Sequence, residues 1–174
     1  MNEEKKEKKE KKRGDSWDSV KGFAIWLGTY GWIFLLIGGI LFILMGFIGL
    51  AYPAVEESLP PVLYTNLVID IAGYLHVHGL FTYVLWFIGG ILAIILTLAF
   101  VKPRFSNKWK EEDYDYLLND VIKIGNLRIP LMLIVGIILE ILMSWWSGLF
   151  FLFIPLLLLI FMGPKEYKWK EEEK

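Results

Sequence analysis

Three stretches of the chain carry almost nothing but apolar side chains: Gly22–Tyr52, Thr82–Val101 and Ile129–Gly163. The first two contain no charged residue, and the third contains only Glu140. About 20 helical residues at 1.5 Å each cross a hydrocarbon core of ~30 Å, so each of the first two reads as one membrane span. As a single helix the third would reach beyond about 50 Å, and two spans fit it better. Their break is signalled by Ser144-Trp145-Trp146-Ser147-Gly148, where paired indoles suit a headgroup belt and glycine supplies a turn. A single tilted helix or a re-entrant hairpin is the alternative there.

The expectation is an all-α integral membrane protein. Its four transmembrane helices form two antiparallel hairpins, at about 22–52, 79–101, 128–146 and 149–163. Pro53 is expected to end the first span and Lys102-Pro103-Arg104 the second. Pro130 falls in the first turn of the third, where its missing N–H costs nothing, and Pro155 predicts a kink inside the fourth. Residues 16–164 form the membrane domain. Residues 1–15, rich in Lys and Glu with nothing to bury, are expected to be a disordered cytoplasmic tail, and 165–174 a second charged one. The run Gly22–Tyr52 is too long for the roughly 7–15-residue apolar core of a signal peptide.

Between the second and third spans, Tyr114, Leu117, Leu118, Val121 and Ile124 share one helical face, with Glu111, Glu112 and Asp113 at its start and Gly125 to close it. A cytoplasmic amphipathic helix over Trp109–Ile124 is predicted, lying on the membrane or against a partner subunit.

Charge supplies the orientation. Of 18 basic residues, 8 precede Gly22, 6 lie in 102–128 and 4 follow Gly163, while 53–78 and the Trp-Trp turn carry none. Basic loops stay inside, so both termini and the 102–128 loop are expected in the cytoplasm of a plasma-membrane protein, with Glu56 and Glu57 outside. An odd number of spans would strand one basic cluster.

Composition narrows the chemistry. The 56% hydrophobic content exceeds the ~45–50% of soluble domains. The absence of cysteine removes disulfides, thiolate metal sites and thiol nucleophiles. With 18 Lys+Arg against 19 Asp+Glu, nucleic acid is not an expected partner. No nucleotide loop, nucleophile elbow, zincin helix or selectivity-filter string is present, no known family is suggested, and no cofactor is called for.

Two constellations stand out. Ala24, Gly28, Gly31, Gly38, Gly39, Gly46 and Gly49 lie within about 60° of one direction on a helix, a smooth face of the kind that admits another backbone. Gly89, Ala93 and Thr97, at i, i+4 and i+8, offer a matching strip on the second span. Tight packing inside the monomer and contact with another subunit both explain the face.

The second constellation is polar. Asn66, Asp70, Tyr74, His78 and Thr82 recur every four residues as a seam, and Glu140 lies one or two turns below the same outer surface. A meeting of Glu140 with Asp70, His76 or His78 would make a proton-titratable or metal-binding site. On a helix His76 and His78 are about 200° apart and could not chelate one ion together.

The reading that follows is a structural or accessory subunit whose partners are the lipid bilayer and other membrane protein subunits, as a hetero- or homo-oligomer. A small oligomeric transporter or channel using Glu140 and the polar seam is the alternative. A membrane redox or metal-binding subunit, or an enzyme with a site at the outer surface, has the fewest residues to work with.

Overall fold

A computed structural model of the chain describes residues 3–56, 80–143 and 149–170. It is mostly helical, with one small hairpin. Helix α1 spans Glu3–Glu56, and α2 spans Leu80–Leu96. A π-helical stretch, Thr97–Ser106, then leads into the short α3, Asn107–Lys110. Next come α4 (Tyr114–Asn119), strands β1 (Val121–Ile124) and β2 (Leu127–Pro130), and α5 (Leu131–Met143). A second π-helical stretch, Leu149–Phe153, precedes α6, Ile154–Met162.

Two helical segments, Arg13–Ala51 and Phe81–Lys110, are long and apolar enough to cross a membrane. Two shorter apolar helices, Leu131–Met143 and Phe150–Met162, accompany them. At 1.5 Å per residue each of these measures about 20 Å, less than a ~30 Å core. The third span expected at 128–146 begins later than predicted, because Arg128, Ile129 and Pro130 belong to β2 and the helix starts at Leu131.

Several expected boundaries move for identifiable reasons. The Lys/Glu segment expected to be disordered is helical from Glu3 onward. Lys and Glu are good helix formers by intrinsic propensity. Helix α1 also continues past Pro53 to Glu56, where a missing N–H near the helix end loses a single backbone bond. The second helical segment does not stop at Lys102-Pro103-Arg104. Pro103 sits inside the π-helical stretch, whose wider turn changes the backbone pairing at the imino acid. Near Pro155 the break lies on its N-terminal side, where the π-helical stretch gives way to α6 with the proline in its first turn.

The predicted amphipathic helix over Trp109–Ile124 is absent. Glu112 takes a left-handed conformation at φ 52°, and Asp113 caps α4 by accepting from the Tyr116 N–H at 3.1 Å. The helix ends at Asn119. Val121, Ile122 and Ile124 are β-branched and pair with Pro130, Ile129 and Leu127 across a two-residue Gly125-Asn126 turn, in which Gly125 has φ 59°. Gly125 thus turns a hairpin, and does not close a helix.

The core runs through the length of the bundle, from Trp109, Phe105 and Val101 past Ala93, Leu35 and Leu139 to Met143 and Leu152. The outer face of α1 is apolar and exposed at Phe23, Trp26, Phe34, Leu44 and Phe47.

Candidate functional site

The glycine stripe lies against other parts of the same chain. A Cβ on Gly46 would stand 2.6 Å from the Phe87 nitrogen and 2.8 Å from the Tyr83 oxygen, and one on Gly49 would enter the Tyr83 ring. Gly39 and Gly90 face each other: a Cβ on Gly90 would be 2.6 Å from the Gly39 oxygen, and one on Gly39 would be 2.8 Å from Ile94 Cγ1. Gly89 approaches the Leu142 carbonyl oxygen, Gly31 the Phe151 backbone, and Gly38 more loosely Met143 Sδ at 3.6 Å. Ala24, Ala93 and Thr97 are fully buried. The α1–α2 seam is therefore a backbone-to-backbone contact, the kind of packing that holds helices together where burial of apolar surface brings no gain.

Gly28 serves a different neighbour. Its missing side chain makes room for the indole of Trp109, which would lie 2.4 Å from a Cβ there. Trp109 is fully buried, with ring centroids of Tyr114 at 5.9 Å, Phe105 at 6.0 Å and Trp17 at 6.5 Å. Trp17 meets Tyr114 edge-on at 5.5 Å. Such edge-to-face pairs add about 0.5–1.5 kcal/mol each beyond the area they bury. Burial pushes the Tyr114 phenol well above its ordinary range, and its hydrogen bond to Glu112 adds to the shift.

Around this aromatic cluster lies a shell of ion pairs that ties distant segments together. Lys21 of α1 meets Glu112 at 2.6 Å, and Lys165 near the C-terminus pairs with Asp115. Lys108 bridges Glu111 at 2.8 Å and Asp113 at 3.3 Å. Glu112 is held below the usual carboxylate range by its bond to Lys21, and Asp113 by the Tyr116 N–H. Exposed pairs of this kind are screened by water and salt and contribute little to stability.

Arg104 is different. Its Nη2 lies 2.9 Å from Asp120 Oδ1 and its Nε donates to the Tyr116 hydroxyl at 3.2 Å, while the Asp120 side chain is only 11% exposed. Burial raises the Asp120 carboxyl and Arg104 opposes that rise. Asp120 Oδ2 is buried without a hydrogen bond among the described residues.

The C-terminal segment folds back onto the same end. Leu127 bridges to Lys170, the Arg128 N–H donates to the Trp169 carbonyl at 2.8 Å, and the Tyr167 hydroxyl donates to the Arg128 carbonyl at 2.8 Å. From α1, Arg13 Nη2 donates to the Ile160 carbonyl at 3.0 Å and to that of Lys165. Ile160 is in the last turn of α6, so this cation satisfies a carbonyl at the helix's negative end. Beside it opens a cleft of about 430 Å³ lined by Arg13, Ser16, Phe161, Glu166, Tyr167 and Trp169, among others.

Of the polar residues singled out in the sequence, Glu140 is on α5, partly buried, with Oε2 shielded and without a hydrogen-bond partner among the described residues. Asn66, Asp70, Tyr74, His76 and His78 lie outside the described residues, as does the connection that would bring them to Glu140. Among the described residues no three His, Asp or Glu side chains gather as a metal site would require.

Of the residues at the polar end, Glu111, Glu112, Asp113 and Tyr114 read in the sequence as parts of an amphipathic helix, whereas Arg13, Trp17, Asp120 and Lys165 were not singled out. One signal was there: Trp109 is an indole in a Lys/Glu-rich loop, where a buried role is the natural reason for it. Arg13 had no such signal, because it closes a run of like residues. Compared with protein-family models, curated proteins and solved structures, the chain matches none.

Proposed function

We propose that this is a multi-pass plasma-membrane protein, crossing the bilayer four times with both termini in the cytoplasm, and that it serves as a structural or accessory subunit packing against other membrane chains. One observation supports the even number of crossings above the others. The segments that carry the three basic clusters meet at one end of the bundle: Arg13 on the Lys165 carbonyl, Lys21 on Glu112, Lys165 on Asp115, and the Arg128 N–H on the Trp169 carbonyl. That convergence is independent of the charge count that first suggested it.

The scaffold role is supported by how the bundle is closed. Backbone contacts close the α1–α2 seam, and the glycine face is consumed within the chain. An exposed apolar surface open to partners is the outer face of α1, with Phe23, Trp26, Phe34, Leu44 and Phe47. Native mass determination after extraction in mild detergent tests the role. A heteromeric assembly is expected, and a monodisperse monomer contradicts it.

Glu140 favours a second reading, as part of an ion or proton path in a homo-oligomer. A carboxyl whose shielded oxygen has no hydrogen-bond partner among the described residues is expensive to maintain in an apolar helix and calls for a partner or water. Under this reading Glu140→Gln abolishes proton flux in proteoliposomes, and a flux equal to that of the unaltered protein removes it.

A further inference from the structure

We propose that the β1–β2 hairpin lies on the cytoplasmic surface of the bilayer and sinks one face, Ile122, Ile124, Leu127 and Ile129, among the lipid chains of the inner leaflet. The proposal rests on the reading of this chain as a membrane protein.

Strand geometry sorts the hairpin into two faces. Residues paired across an antiparallel ladder stand on the same side of it, and successive residues along a strand on opposite sides. Ile122 pairs with Ile129 and Ile124 with Leu127, so four aliphatic side chains share one face, while Val121, Lys123, Arg128 and Pro130 share the other. The second face is turned toward the protein. Pro130 is fully buried, Val121 packs on the core, and Arg128 lies 5.8 Å from the ring centroid of the buried Tyr167. The aliphatic face is therefore directed outward, with Ile122 38%, Leu127 41% and Ile124 61% exposed. Contiguous exposed aliphatic side chains of this kind mark an interaction surface.

What covers that surface follows from where the hairpin is rooted. The second apolar run ends at Val101, and Lys102 is the first charge beyond it. Arg104, in the same π-helical stretch, holds Asp120 at 2.9 Å, and the Asp120 carbonyl accepts the Leu131 N–H at 2.8 Å. Asp120 and Leu131, which flank the hairpin, thus stand at the level where the lipid-spanning part of the second helical segment ends. On the far side β2 passes directly into the apolar α5, with no linker to carry the hairpin into the cytosol. Strands of four residues at ~3.3 Å each keep the turn within about 13 Å of its root. The chemistry of the face agrees with lipid. It carries no charge or hydrogen-bonding side chain to fix the register of a protein partner, and it lacks the aromatic and Arg anchors that dominate protein interfaces. Lipid chains require only apolar area.

The test uses the full-length protein in phosphatidylcholine vesicles, with single cysteines carrying an environment-sensitive fluorophore; the chain has no cysteine of its own. Ile124→Cys and Leu127→Cys probe the aliphatic face at two exposed positions, and Lys123→Cys probes the opposite face of the same strand. Leu98→Cys, at an exposed position inside the second apolar run, reports whether a bilayer surrounds the bundle at all. Quenching by a nitroxide on the shallow part of a lipid chain is compared with quenching by aqueous iodide. The lipid nitroxide is expected to quench at residues 124 and 127 several-fold more than at 123, and iodide to show the reverse order. Equal quenching at Ile124→Cys and Lys123→Cys overturns the proposal. Protection of Ile124→Cys from both quenchers also overturns it, because a protein partner or a second copy then covers the face. Lipid quenching at Leu98→Cys without it at residues 124 and 127 removes the hairpin's role alone, whereas its absence at Leu98→Cys removes the membrane reading as well.

Discussion

Replacing Gly46 by alanine tests the helix seam most sharply, because the new methyl would meet backbone on two sides. Its Cβ would lie 2.6 Å from the Phe87 nitrogen, 2.8 Å from Phe87 Cβ and 2.8 Å from the Tyr83 oxygen. Ordinary contact begins near 3.4 Å, so α1 and α2 have to part by about 0.8 Å along this part of the seam. A gap of 0.5–1 Å forfeits roughly a quarter to a half of the dispersion energy of the atoms it separates. Overpacking of this kind costs about 1–3 kcal/mol, and the better helix propensity of alanine returns up to about 1 kcal/mol. The expected net loss is about 1–2 kcal/mol. Gly22 is the control, since a Cβ there meets nothing within 4 Å and only the propensity gain of about 0.5–1 kcal/mol remains. Thermal unfolding in one detergent, followed by circular dichroism, should give shifts of opposite sign for Gly46→Ala and Gly22→Ala. Equal shifts, or a more stable Gly46→Ala, would refute the backbone seam.

Two further predictions concern charged groups. Arg104→Gln leaves the Asp120 carboxyl buried without its counter-charge and should cost about 1 kcal/mol at pH 7, discounted because Arg104 itself is 41% exposed. Asp120 is already raised by burial, and losing Arg104 raises it further, so the folded variant binds a proton more readily than the unfolded chain. The variant therefore regains stability as pH falls toward the carboxylate range, and its difference in melting temperature from the unaltered protein narrows between pH 7 and pH 4. A difference that widens on acidification contradicts the assignment. Glu140→Leu removes a shielded carboxyl oxygen that has no partner among the described residues and should raise stability by about 1 kcal/mol in the same assay. A fall of similar size would mean that Glu140 has a partner in the segment that includes Asp70, His76 and His78.

Much of the helical framework was legible from apolar runs, because the bundle's helices need length and hydrophobicity before anything else. The glycine face was legible for a related reason: small residues aligned over seven turns have few explanations other than close approach. Local winding was not legible. Pro103 reads as a stop in sequence, yet a π-helical stretch carries the helix through it, and nothing in the residue order marks a wider turn. The loop 109–124 held two conflicting patterns, a helical face at Tyr114, Leu117, Leu118, Val121 and Ile124, and β-branched residues flanking Gly125-Asn126. The hairpin prevailed in the second half because α4 ends at Asn119 and the Gly-Asn turn beyond it fits the strand twist. The pairings at the polar end were not legible because Arg13, Asp120 and Lys165 are each ordinary in sequence and acquire meaning only by convergence.

The central claim is that a bilayer surrounds this bundle, with the ion-paired end on its cytoplasmic side. The chain has no cysteine, so single cysteines can be read without background. Glu56→Cys, Lys110→Cys and Lys168→Cys, each treated in intact cells with a membrane-impermeant maleimide, give the most direct measurement. The account predicts labelling of Glu56→Cys in intact cells and of the other two only after lysis. Labelling of Lys110→Cys or Lys168→Cys from outside, together with Glu56→Cys, would contradict it.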